Sequence, residues 1–145
     1  MDLDNYLEKD SFNMFEFEDD DGNDCFAMID MDLAKVTNKV AFPYLVWIEA
    51  HYLEKDKNGF PTKEDAEAID QLEKLILKKF SKTCSFKFAG HTAIPNFREI
   101  IIYVDAADKA QVAINRLKHD VGDRQVTFDI EEDPTWEGIA GFLED

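Results

Sequence analysis

Three histidines, His51, His91 and His119, and two cysteines, Cys25 and Cys84, are the scarcest reactive side chains of this sequence. Histidine is the usual carrier of protons near neutral pH. His51 follows Glu49 by two residues, so on a strand both side chains leave the same face. With Glu99, Trp47 and Tyr103 placed on that face, Glu49 and His51 could form a polar acid–base site. The same residues also suit satisfied surface or core pairs, which are the commoner case, so no catalytic residue is assigned. A nucleophile set would need Cys84 or Ser85 aligned with a histidine, and the spacing does not ask for it. No close ligand spacing links the histidines and cysteines, so no metal site is expected. No glycine-rich phosphate loop is present, and no cofactor is expected.

Two segments imitate cation loops. Within Glu54–Asp65, the residues Glu54, Asp56, Asn58, Gly59 and Asp65 fall in step with a calcium loop. Pro61 stands where a residue with a free N–H is needed, and the segment before it reads as strand. A strand-to-helix turn fits better. The run Asp19–Asp24 offers several carboxylates but reads as a solvated turn.

Charge narrows the partners. The net charge is −16 from 16 Lys+Arg and 32 Asp+Glu. Residues 1–24 carry −9 and residues 129–145 carry −7, which leaves residues 25–128 neutral. Such a chain repels nucleic-acid phosphates and anionic membranes. It suits a basic protein partner or a cation. Apolar runs stay well short of the ~20 residues of a membrane span. The first residues show no export pattern, so the expectation is a cytoplasmic protein with reduced, buried thiols.

These side chains need a scaffold, and 145 residues with 45% hydrophobic content suffice for one core. Residues 1–10 read as a charged lead-in, and residues 11–145 as a single α+β domain. Phe12–Phe17 and Cys25–Met31 read as a hairpin closed by the acidic turn. Ala41–Tyr52 reads as a strand rich in aromatic and branched residues. A helix follows Pro61, with Thr62 and Asp65 spaced as a capping box and Ile69, Leu72, Ile76 and Phe80 on one face. Cys84–Phe88 reads as strand, Gly90–Asn96 as loop, and Arg98–Val104 as an interior strand. Ala107–His119 reads as helix, Arg124–Ile130 as strand, and Pro134 as the start of a short last helix.

From residue 41 onward the order β-α-β-β-α-β predicts a ferredoxin-like antiparallel sheet with two helices on one face. The hairpin precedes this unit, and a short helix follows it. Alternation assigns Phe42, Tyr44, Val46, Ile48, Ile100, Ile102 and Val104 to the helix side. The opposite face then holds Leu45, Trp47, Glu49, His51, Glu99, Ile101 and Tyr103. Its apolar centre needs a cover, either Trp136 and Phe142 of the last helix or a partner.

Three stretches carry a family resemblance. They are Asn58-Gly59-Phe60-Pro61-Thr62-Lys63-Glu64, Phe97-Arg98-Glu99-Ile100-Ile101-Ile102-Tyr103 and Asp133-Pro134-Thr135-Trp136. In this order the chain resembles an uncharacterised bacterial family, domain of unknown function 695. The resemblance covers most of the chain and marks Gly59, Pro61, Arg98, Tyr103, Asp133 and Trp136 as pattern positions. It brings no catalytic residue with it. The family is itself similar to the ferredoxin-like regulator of ribonuclease activity B domain, an acidic inhibitor, which implies a binding or regulatory role. The resulting expectation is a non-enzymatic module that recognises a protein partner or itself. The alternative is a small-molecule-binding or hydrolytic domain using the polar face.

Overall fold

Thr62 sets the start of the longest helix. Its hydroxyl accepts the Asp65 amide at 3.2 Å, which satisfies one of the free donors of a helix start. The expected capping box is only half made, because the buried Asp65 carboxylate turns to Arg124 and the Leu53 amide instead. The computed structural model describes residues 6–144. It comprises β1 (Phe12–Glu18), β2 (Asp24–Asp30), β3 (Tyr44–His51), α1 (Lys63–Thr83), β4 (Phe86–Ile94), β5 (Phe97–Val104), α2 (Ala107–Leu117), β6 (Val126–Glu132) and α3 (Glu137–Leu143). Short 3-10 turns occupy Tyr6–Glu8, Met31–Lys35 and Lys39–Ala41.

The six strands form one sheet in the order β1-β2-β4-β5-β3-β6, and every neighbouring pair is antiparallel. The helices α1 and α2 lie on one face. Val46, Ile48, Ala50, Ile100, Ile102 and Val104 meet Ile69, Ile76, Phe80, Ala113 and Leu117 there in the main core. The period-two and helical spacings of these residues predict that contact. The second face is closed at one end by α3 and the 31–35 turn. Leu33, Leu45, Ile101, Tyr103, Trp136 and Ile139 make a second, smaller core there.

The structure corrects several expected boundaries. Gly90–Ile94 is strand, not loop, because β4 resumes after a bulge between Phe88 and Gly90. Gly90 has φ +142, and a Cβ there would lie 1.9 Å from the Met28 carbonyl oxygen. The glycine that reads as a chain breaker is thus what lets β2 approach β4. Strand β3 begins at Tyr44, after a 3-10 turn, so Phe42 leaves the helix side and packs against the smaller core. The last helix begins at Glu137. Trp136 stands before it at φ 60 in the left-handed region, and Asp133 caps it by accepting the Glu137 and Gly138 amides at 2.9 and 3.0 Å. Phe142 reaches Phe15 of β1, with ring centres 5.8 Å apart. Both thiols are free, with Cys25 buried and Cys84 half-buried.

Candidate functional site

Strands β3 and β5 are direct neighbours, with Leu45 opposite Tyr103, Trp47 opposite Ile101, Glu49 opposite Glu99 and His51 opposite Phe97. The five residues Trp47, Glu49, His51, Glu99 and Tyr103 therefore share one sheet face. They do not share one environment. Tyr103 is fully buried beneath Trp136, with ring centres 4.8 Å apart. Its hydroxyl donates to Asp133 at 2.6 Å. Burial and the Asp133 carboxylate both push the phenol well above its ordinary range. It is a packing and capping residue with no surface left for a ligand.

The other four residues lie toward the open end of the face. Glu99 accepts the Trp47 indole N–H at 2.8 Å and the Thr92 hydroxyl at 2.8 Å. Burial pushes the Glu99 carboxyl up. The two donors only partly offset this, and the nearby Glu49 charge adds to it. His51 sits 4.0 Å from Glu49 and stacks on Phe97 with centres 5.0 Å apart. The arrangement raises the Glu99 carboxyl and presents one imidazole beside Glu49. Tyr103, buried beneath Trp136 and bonded to Asp133, stands apart from these four.

A second polar cluster lies inside the main core. Glu73 of α1 is fully buried. It accepts a hydrogen bond from the Tyr6 hydroxyl and stands 2.6 Å from His91 Nδ1 and 3.7 Å from Arg98. Arg98 also lies 2.9 Å from Asp70. Burial pushes the Glu73 carboxyl up, but His91, Arg98 and Tyr6 together bring it below its ordinary range. The cluster clamps the lead-in turn to α1, β4 and β5, and Tyr6 packs edge-on against Phe88 at 5.4 Å. A sequence signal for it exists. Glu73 falls four residues after Ile69 and three before Ile76, within the apolar stripe of α1. A third pair, Arg124 with Asp65, is bidentate and buried at 2.8 and 3.2 Å. Arg124 also donates to the His51 carbonyl at 2.9 Å, which joins β3, α1 and the loop before β6.

The imitation cation loops are occupied by their own backbone. Asp19 accepts the amides of Asn23 and Asp21. Asp56 accepts those of Asn58 and Phe60. Gly59, at φ +90, lets that turn press against Pro95, and Pro61 bridges back to Lys55. Among the described residues no cluster of three or more His, Cys, Asp and Glu is arranged to hold a metal ion. No helix among them is long and apolar enough to cross a membrane.

One apolar surface stays bare. On the hairpin, Met14 pairs with Met28 and Glu16 with Phe26, all on the helix side of the sheet. Met14 is 63% exposed and Phe26 37%. Strand β1 is also a sheet edge, with no strand on its outer side.

A search of curated proteins returned no match. Among solved structures, an EthD-like protein from Ralstonia eutropha aligns over 63% of this chain and 93% of its own, with 14% identity and a TM-score of 0.36. A model of a family of unknown function, DUF695, matches residues 12–144, which take in the hairpin, the sheet, all three helices and both cores. The chain therefore belongs to the DUF695 family.

Proposed function

We propose that this protein is a non-enzymatic binding module with a ferredoxin-like core, β3-α1-β4-β5-α2-β6, that recognises a protein partner on its added hairpin. The reading takes residues 11–145 as one domain and residues 1–10 as its lead-in. One observation carries it: Met14 and Phe26, diagonal neighbours on the helix side of the hairpin, are both exposed next to the free edge of β1. Exposed apolar groups beside an unpaired strand edge suit an added strand or an apolar segment of another chain. Glu16, Glu18, Asp19 and Asp24 surround them and select a basic partner. Self-association through this surface would bring two acidic hairpins together, which disfavours a second copy. The free thiols support a cytoplasmic setting.

The test is capture of partners on immobilised protein at low and high salt, with wild type beside the double variant Met14→Glu, Phe26→Glu. Wild type should retain a basic protein that salt releases, and the variant should lose it without a change in unfolding midpoint. Equal capture by both proteins would refute the reading.

A second reading keeps a small-molecule or hydrolytic role for Glu49, His51 and Glu99, without Tyr103. It rests on the raised Glu99 carboxyl alone. Hydrolysis of activated esters that vanishes in Glu99→Gln would favour it over the binding module.

A further inference from the structure

Strand β2 accompanies β4 only from Phe26 to Ile29, opposite Gly90 to Ala93. At Asp30 the chain turns away into the Met31–Lys35 turn, whose start Asp30 caps by accepting the Asp32 amide at 3.1 Å. The first part of β4, Phe86–Phe88, is therefore paired with β5 on one side and has no strand on the other. A cleft of about 480 Å³ opens in that gap. Phe12, Phe86 and Phe88 line it on the helix side of the sheet, and Leu33 and Val36 line it on the opposite side, from the chain that turned away. Its volume and aromatic walls suit a small ligand with an apolar body.

The charges of the cleft indicate which end group such a ligand carries. Asp30 is buried and paired with Lys9 at 3.4 Å. Asp32 is paired with Lys35 at 3.7 Å. Lys87 alternates with Phe86 and Phe88 and so leaves the opposite side of β4, where it is half-buried with its ammonium 5.4 Å from the centre of the Phe42 ring. It makes no ion pair among the described residues. In a chain of net charge −16, a half-buried lysine at an apolar cleft that has no carboxylate partner among the described residues is the unmatched charge of the described site. A cation held there is completed by one anion, and a carboxylate fits an ammonium as a charge-assisted acceptor.

We infer that this cleft binds a small apolar carboxylate that passes through the gap beside β4, its chain against Phe12, Phe86 and Phe88 on the helix side and its carboxylate on Lys87 on the other. The site is separate from the Met14–Phe26 surface and does not depend on a protein partner.

Decanoate is the probe, and the uncharged decanol is its control. Titration followed by backbone and methyl NMR should shift Leu33, Val36, Phe86 and Phe88, with decanoate binding more tightly than decanol. Lys87→Met should weaken decanoate by about tenfold, as loss of a charged hydrogen bond implies. It should leave decanol unchanged, while Lys87→Arg retains decanoate binding. The double variant at Met14 and Phe26 should bind decanoate like wild type, which separates this site from the proposed partner surface. Shifts centred elsewhere, equal affinity for decanoate and decanol, or no effect of Lys87→Met would overturn the inference. So would a well-folded protein that shows no shifts with either probe.

Discussion

The Tyr103 hydroxyl and the Asp133 carboxylate, 2.6 Å apart, join the middle of the sheet to the start of the last helix. Asp133 spends its other acceptor capacity on the Glu137 and Gly138 amides. One carboxylate thereby fixes α3 over Ile101 and Tyr103, and Trp136 closes the stack.

Tyr103→Phe removes the hydroxyl and keeps the ring. The expected loss is about 1.5 kcal/mol, the scale of one hydrogen bond to a charged group. Urea unfolding measures it, and the near-ultraviolet signal of Trp136 should weaken with it. An unchanged midpoint would show that the hydroxyl does not hold α3.

Glu73→Ala should be far more costly, at about 3–5 kcal/mol, because it leaves His91 and the Tyr6 hydroxyl without their carboxylate partner and Arg98 with Asp70 alone. Tyr6→Phe should cost about 1.5–3 kcal/mol through its single bond to the same carboxylate. Both are read from urea midpoints at fixed pH. A Glu73→Ala loss below that of Tyr6→Phe would remove the cluster from the stability of the core.

The pH dependence follows from the same groups. Burial raises the carboxyls of Glu73 and Asp133, but their donors and cations bring both below their ordinary range. The unfolded chain therefore binds these protons more readily, and stability rises with pH through this window. Their contribution is complete above the unfolded values of about 4.3 and 3.9 and is lost as pH falls through the depressed folded values. Acid unfolding of Glu73→Gln should be correspondingly flatter than that of wild type.

Glu99 behaves with the opposite sign. Burial raises its carboxyl, so the folded state binds the proton more readily than the unfolded one. Its contribution is greatest below the unfolded value of about 4.3 and falls as pH rises toward the folded value. Because Trp47 donates to Glu99, indole fluorescence should titrate with an inflection above the ordinary glutamate range. Glu99→Gln should abolish that inflection.

Gly90→Ala places a methyl group against the Met28 carbonyl in a conformation that L residues avoid. The expected cost exceeds about 2 kcal/mol, beyond that of an ordinary surface change. Hydrogen exchange should accelerate first at the β2 amides that face β4. Uniform acceleration across the sheet would refute a local role for this glycine.

Where one periodicity dominated, the sequence was informative. The stripe Ile69–Leu72–Ile76–Phe80 and the alternation of Val46, Ile48, Ile100 and Ile102 lead directly to the helix-covered face. It was less informative where one residue had two uses. Gly90 reads as a breaker and serves as a bulge, and Trp136 reads as helix and sits in a left-handed turn before it. Glu73 and Arg124 are less legible in the sequence because polar residues on helices and at strand starts usually face water, whereas these two are buried and paired. Of the polar face, the shared side of Trp47, Glu49, His51, Glu99 and Tyr103 was legible. The burial of Tyr103 was not, because it depends on where a distant helix docks.

The short seam between β2 and β4 also sets an order of assembly. During synthesis the hairpin of residues 12–30 emerges well before Gly90, its docking partner, some sixty residues later. At about 5–20 residues per second that interval is about 3–12 s. For those seconds the nascent hairpin carries both of its edges and its apolar residues Met14, Phe15, Phe17 and Phe26 without a sheet to join. The acidic turn and lead-in at its ends carry like charge, which opposes contact between two such hairpins.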